Sequence, residues 1–182
     1  MMPIDFHKAI VIAVDPGLRG SGLAIFKNGV LLHAQYVVND NYDRGPKAHM
    51  CMAECVALVV TEILPFGDAK KNHIIVEFPQ HYPGPGKPID PNDLLDIAGV
   101  ASACMTAIAN WLPAEDDNCR WTLPRAWKGN IKKEIMTNRI LASLTDRERS
   151  LIVSSGAKDH NTVDAVGLGL WQLGRLNRRV LQ

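Results

Sequence analysis

The hydrophobic pattern changes period several times along the chain. Ile10 to Val14 is an unbroken apolar run of the kind a strand covered on both faces requires. Asp15-Pro16-Gly17 ends it, Gly22 to Phe26 resumes it, and Asn28-Gly29 supplies a two-residue hairpin turn before Val30 to Val38. These positions predict strand, loop, strand, tight turn and strand, an antiparallel meander. Residues 39–47 read as loop. Residues 48–64 are rich in Ala, Met, Leu and Val, with no breaker before Pro65, and predict a helix. His73 to Phe78 predicts a short buried strand that carries Glu77 at its end. Residues 79–91, with five prolines and two glycines, predict a stiff irregular loop.

Asn92 to Trp111 predicts a long helix whose Gly99, Ala103 and Ala107 form a small-residue face suited to close packing. Arg120 to Leu123 reads as a strand, Pro124 opens a short helical piece, and Ile131 to Leu144 reads as a helix. Thr145 with Glu148 three residues on fits a capping box that starts another helix. Asp159 to Leu176 is the last predicted helix. The succession β-β-β-α-β-α-β-α-α is an α/β fold, with a mixed central sheet, an N-terminal antiparallel meander and flanking helices.

With 182 residues, of which 47% are hydrophobic and 21% charged, the chain is expected to fold as a single domain over residues 1–182. No apolar run reaches the roughly 18 to 20 residues of a membrane span. Asp5, His7 and Lys8 precede the first apolar run, which is not a signal-peptide layout, so a cytoplasmic location is expected. Cys51, Cys55, Cys104 and Cys119 lack zinc-site spacing and read as small core residues in a reducing compartment. The formal net charge is only +1, but it is unevenly placed. Residues 1–119 carry a net −6, whereas residues 120–139, with Arg120, Arg125, Lys128, Lys132, Lys133 and Arg139 against Glu134, carry +5. A local basic strip on a near-neutral body suits either a confined polyanion contact or a solvated helix face.

Three acids stand out. Asp15 closes the first strand, Glu77 ends another predicted strand, and Asp164 lies within the last helix. Taken singly, each has an ordinary reading as a turn residue, an exposed strand end or a surface helix position. Taken together they suggest more. If the two strands are adjacent and parallel, their C-terminal ends converge, and the last helix can lay Asp164 across the same end. Three carboxylates in one place repel, and a hard divalent cation is the natural compensation. An oxygen-rich donor set suits Mg²⁺ or Mn²⁺ better than zinc.

In that order these segments resemble the RuvC-type Holliday-junction resolvases of the ribonuclease-H-like nuclease superfamily. The resemblance rests on IVIAVDPGLRGSGLAIF at residues 10–26, IIVEF at 74–78, NDLLDIAGVASACMTAIAN at 92–110, LPRAWKGNIKK at 123–133 and the Asp-Ala pair in residues 159–171. It implies a ribonuclease-H-like fold, and the compact chain with its variant His160-Asn161 helix motif suggests a phage-type or other divergent member acting in a bacterial or phage-infected cell. Asp15, Glu77 and Asp164 match three of the family's four metal-binding positions. The fourth, three residues before the helix acid, is Asn161 here, with His160 one residue earlier. Either shares a helix face with Asp164, and His160 could also help handle a proton.

The implied activity is Mg²⁺-dependent (or Mn²⁺-dependent) hydrolysis of branched DNA, with two ions clamping the scissile phosphate and leaving 5′-phosphate products. Lys128, Lys132 and Lys133 fall where the family places lysines near the cleaved backbone. Lys133 is the one favoured for offsetting transition-state charge, with Arg125 and Lys128 positioning phosphates. His81 and Tyr82, in the proline-rich loop, are candidates for stacking on a distorted base. The resemblance further implies a homodimer, its two-fold axis matching that of a four-way junction and the 92–111 helix at its interface. It implies no membrane and no nucleotide cofactor. Trp121 and Trp127 read as core rather than stacking residues.

Two rival functions remain at this point: a ribonuclease-H-like or flap nuclease, and a non-catalytic branched-DNA-binding protein. An actin-like kinase is disfavoured, because 182 residues cannot supply two copies of such a fold.

Overall fold

The computed structural model describes residues 9–39, 45–64, 72–80, 90–112, 114–154 and 160–176. Five strands form one sheet: β1 (Ile10–Asp15), β2 (Gly20–Lys27), β3 (Val30–Val38), β4 (Asn72–Glu77) and β5 (Cys119–Thr122), in the spatial order β3-β2-β1-β4-β5. β1, β2 and β3 pair antiparallel, and β1, β4 and β5 pair parallel. The sheet is therefore mixed, with the meander the sequence predicts at one edge. The hairpin between β2 and β3 turns on Asn28 and Gly29, both at positive φ (54° and 78°), the conformation an Asn-Gly two-residue loop adopts at least cost.

Among the described residues six α-helices flank the sheet: α1 (Pro46–Ile63), α2 (Pro91–Trp111), α3 (Pro124–Trp127), α4 (Lys133–Ala142), α5 (Asp146–Ser154) and α6 (His160–Gln172). Side chains alternate across a strand, and the two cores follow from that. Ile12, Val14, Ile74 and Val76 face α1 and α2, whereas Val11, Ala13 and Ile75 face α6 and α4. β1 is covered on both faces, which is why its sequence is a continuous apolar run.

α2 is long and apolar enough to cross a membrane by length and composition. Its Val100, Ala101, Cys104 and Ile108 nevertheless pack into the layer shared with α1 and the sheet. Gly99 lies against the His49 ring of α1, so the small-residue face expected at a dimer interface is used at this point within the chain. α1 begins at Pro46, two residues before the predicted start, because proline is well placed in a helix's first turn. All four cysteines are free thiols, and burial, with the neighbouring Cys55, pushes Cys104 up to about 12.

Candidate active site

Parity along the strands decides where the acids go. β1 and β4 pair in parallel with Val14 opposite Val76, so Asp15 and Glu77 come next, side by side, at the C-terminal ends of neighbouring strands. Val14 and Val76 face α1 and α2, so the following residues face α6. Both acids are 8% exposed, contrary to the ordinary reading of a strand-end Glu. This is the end of a parallel sheet at which α/β proteins commonly bind ligands.

α6 reaches the same end because it lies very close to the sheet. Gly22 of β2 sits under the first turn of α6, where a Cβ would overlap the Asn161 carbonyl and the Thr162 amide. Gly169 further along lies against the Phe26 ring. A helix docked this tightly holds Asp164 over the strand ends. The Asn161 Nδ2 donates to the Gly20 carbonyl at 3.1 Å, tethering the first residue of β2, where the loop that follows Asp15 ends. The Asn161 amide therefore serves the scaffold, and Oδ1 is the atom a ligand role would use. His160 is exposed at the start of α6, one helical turn from Asp164.

The centre of the cluster is a cation. Pro124 starts the single-turn helix α3, which brings Trp127 and Lys128 back beneath the acids. Lys128 Nζ lies 2.8 Å from Asp164 Oδ2 and 3.1 and 3.2 Å from the two Glu77 oxygens. It also sits 4.7 Å from the centroid of the Trp127 ring. Trp127 is buried, and its Nε1 donates to Glu77 Oε2 at 2.7 Å. Burial pushes the Lys128 ammonium down, but attraction to Glu77, Asp15 and Asp164 and the hydrogen bond to Asp164 outweigh it, and the net displacement is upward. Glu77 is raised by burial, an effect that the Lys128 charge and the Trp127 and Lys128 hydrogen bonds only partly offset.

Lys128 thus stands amid all three acids, whereas Lys132 and Lys133 are exposed in the approach to and first residue of α4. The favoured lysine from the sequence, Lys133, does not occupy the acid cluster in this conformation. Arg125 is exposed on α3 beside it. His81 and Tyr82 lie outside the described residues. Trp121, read from the sequence as core, is 57% exposed on β5 and stacks at 5.3 Å against Phe78, which follows Glu77. Nothing in the sequence marks β5 as the edge strand that leaves Trp121 uncovered.

The donor set fits a hard divalent cation. It offers three carboxylates, two of them buried, from the ends of β1 and β4 and from α6. As the side chains stand, no three His, Cys, Asp or Glu residues among the described residues are grouped tightly enough to hold an ion. The Lys128 ammonium lies between Glu77 and Asp164, which makes this a lysine-held arrangement of the acids.

No family model and no curated protein matches the chain. Solved structures do. RuvC of T. thermophilus in complex with Holliday junction substrate superposes with a TM-score of 0.52 at 17% identity, covering 93% of this chain and 96% of that one. A second Thermus thermophilus RuvC structure gives 0.51 at 17% identity, covering 88% and 91%. The yeast mitochondrial Holliday junction resolvase Ydc2 gives 0.54 at 13% identity, covering 96% and 84%. The chain has a divergent RuvC-type, ribonuclease-H-like fold.

Proposed function

We propose that this protein is a metal-dependent endonuclease that nicks branched DNA, with the four-way junction as its substrate. The observation that carries this reading is the meeting of Asp15, Glu77 and Asp164, from the beginning, middle and end of the chain, on one face of the sheet around the Lys128 ammonium. Lys128 supplies one positive charge against three carboxylates, two of them buried, so a purely structural role leaves the cluster short of cation. The fold shared with junction resolvases supports the choice of substrate.

In this reading Asp15, Glu77 and Asp164 hold Mg²⁺ or Mn²⁺, with Asn161 Oδ1 or His160 completing the set. The metal supplies Lewis-acid stabilisation of charge on the scissile phosphate. Trp127 fixes one Glu77 oxygen, so that carboxylate enters the site already oriented. Asn161 holds Gly20, where the loop after Asp15 ends. In the same reading the exposed Arg125, Lys132 and Lys133 bind phosphates on either side of the cut, and His160, one helical turn from Asp164, exchanges a proton with the nucleophile or leaving group. Two protomers would present two such sites to the two-fold axis of a junction. α1 and α2 leave Met50, Leu58, Leu95 and Trp111 exposed for that contact.

Incubation with synthetic four-way junctions, RNA–DNA hybrids and flaps, with Mg²⁺ or chelator, tests the reading. Symmetric nicking of the junction with 5′-phosphate ends supports it, and preferential cutting of hybrid or flap overturns the substrate. Commitment of the Asn161 amide to Gly20 favours one second reading, a junction binder with an incomplete ligand set. Tight junction binding with no Mg²⁺-dependent cleavage would select it.

A further inference from the structure

We infer that Lys128 is the resident counter-ion of the acid cluster and that an arriving divalent cation displaces it. This rests on the metal reading above and extends it to a residue of the chain itself. The ammonium contacts both Glu77 oxygens and Asp164 Oδ2, and Asp15 acts on it electrostatically. Those are the oxygens a hard cation would need. Two positive ions cannot share them, because both would compete for the same lone pairs and repel each other at close range.

The local structure allows the exchange. Lys128 follows the last residue of α3, and residues 128–132 are turn and irregular backbone rather than helix. Its four-carbon stem can therefore swing the ammonium out without unwinding an element. The metal-free protein then keeps one positive charge among its three acids, and metal binding puts a divalent cation in its place. A monovalent ion offers the acids no more charge than the ammonium already does, so the site selects divalent ions.

Amine-reactive footprinting of the full-length wild-type chain, read by peptide mass spectrometry with EDTA or saturating Mn²⁺, tests this. Calorimetry on the same sample reports whether the ion binds. Modification of Lys128 is expected to rise roughly tenfold with Mn²⁺ as a paired ammonium is released to solvent, while Lys132 and Lys133 change less than about twofold. In parallel, Lys128→Met is expected to bind Mn²⁺ roughly tenfold more tightly, since no resident charge has to leave. It should also melt lower than wild type without metal and close to wild type with it. If calorimetry shows bound Mn²⁺ while Lys128 stays unreactive, or if Lys128→Met binds no tighter, displacement is wrong and the metal site stands. If no divalent ion binds the wild type, the metal reading fails and takes this inference with it.

Discussion

Replacing Glu148 with Gln should destabilise the protein by roughly 3 kcal/mol at neutral pH without touching the acid cluster. Glu148 is 1% exposed and accepts five hydrogen bonds. Oε1 takes the Leu31 amide at 2.8 Å and Arg175 Nη1 at 2.7 Å. Oε2 takes Arg175 Nη2 at 2.8 Å and the Thr145 amide and hydroxyl at 2.9 and 3.0 Å. Arg175 goes on to the carbonyls of Gly29 and Ser143, so this pair joins the β2–β3 turn, the end of α4, the start of α5 and the segment after α6.

Burial alone would raise the Glu148 carboxyl, but the Arg175 and backbone hydrogen bonds outweigh it and hold the group at about 2 against an ordinary 4.5. At about 1.4 kcal/mol per unit that difference is worth roughly 3 kcal/mol. Breaking a buried pair costs about 3–5 kcal/mol, and the 27% exposure of Arg175 favours the low end. The folded-state value is depressed, so the stabilisation is complete above about 4.5 and is lost as pH falls toward about 2. Urea unfolding of wild type and Glu148→Gln across that range is the assay. The gap between them should narrow as pH falls. A loss below about 1 kcal/mol at neutral pH, or a gap independent of pH, would refute the reasoning. The β2–β3 turn lies at the opposite end of β1 from Asp15, so ion binding by the folded variant should match wild type.

Two further perturbations probe how the site is built. Gly22→Ala places a methyl group against the backbone of Asn161 and Thr162, and should cost about 1–3 kcal/mol by pushing α6 off the sheet. Junction cleavage should fall with it, and a variant as stable and active as wild type would show that α6 does not need this approach. Trp127→Phe removes a hydrogen bond to the charged form of Glu77, worth about 1.5–3 kcal/mol. Because that bond opposes the upward push of burial, Glu77 should rise further. Mn²⁺ affinity measured against pH should then need a higher pH to reach its plateau, and an unchanged profile would show that Trp127 does not tune the carboxylate.

Much of the sheet could be read from the chain, because strand patterns are local. The continuous run at Ile10 to Val14 and the Asn28-Gly29 turn suffice for the meander. The parity of Asp15 and Glu77 then follows once their strands are adjacent and parallel. The capping box of α5 is present as expected, with the Glu148 amide donating to Thr145 Oγ1 at 3.2 Å. What could not be read depends on contacts far apart in sequence. Nothing local says that Glu148 also binds Leu31 and Arg175, or that Asn161 reaches Gly20.

The basic strip offers three lysines within six residues, and spacing alone does not say which one turns inward. The single turn of α3 makes it Lys128. Trp121 carries the composition of a core residue, but it lies on β5, an edge strand whose side chains are only partly covered. Gly99 shows the converse, a small residue expected at an interface between chains and used against His49 within one.

Nicking of a mobile four-way junction by Asp15→Asn, set beside its binding of the same junction, bears most directly on the central claim. The substitution keeps the shape of the side chain and removes one charge from the cluster. Wild type should nick in a Mg²⁺-dependent way and Asp15→Asn not above background, with junction affinity within about threefold of wild type, since phosphate contacts come from other residues. Normal cutting by Asp15→Asn would contradict that claim.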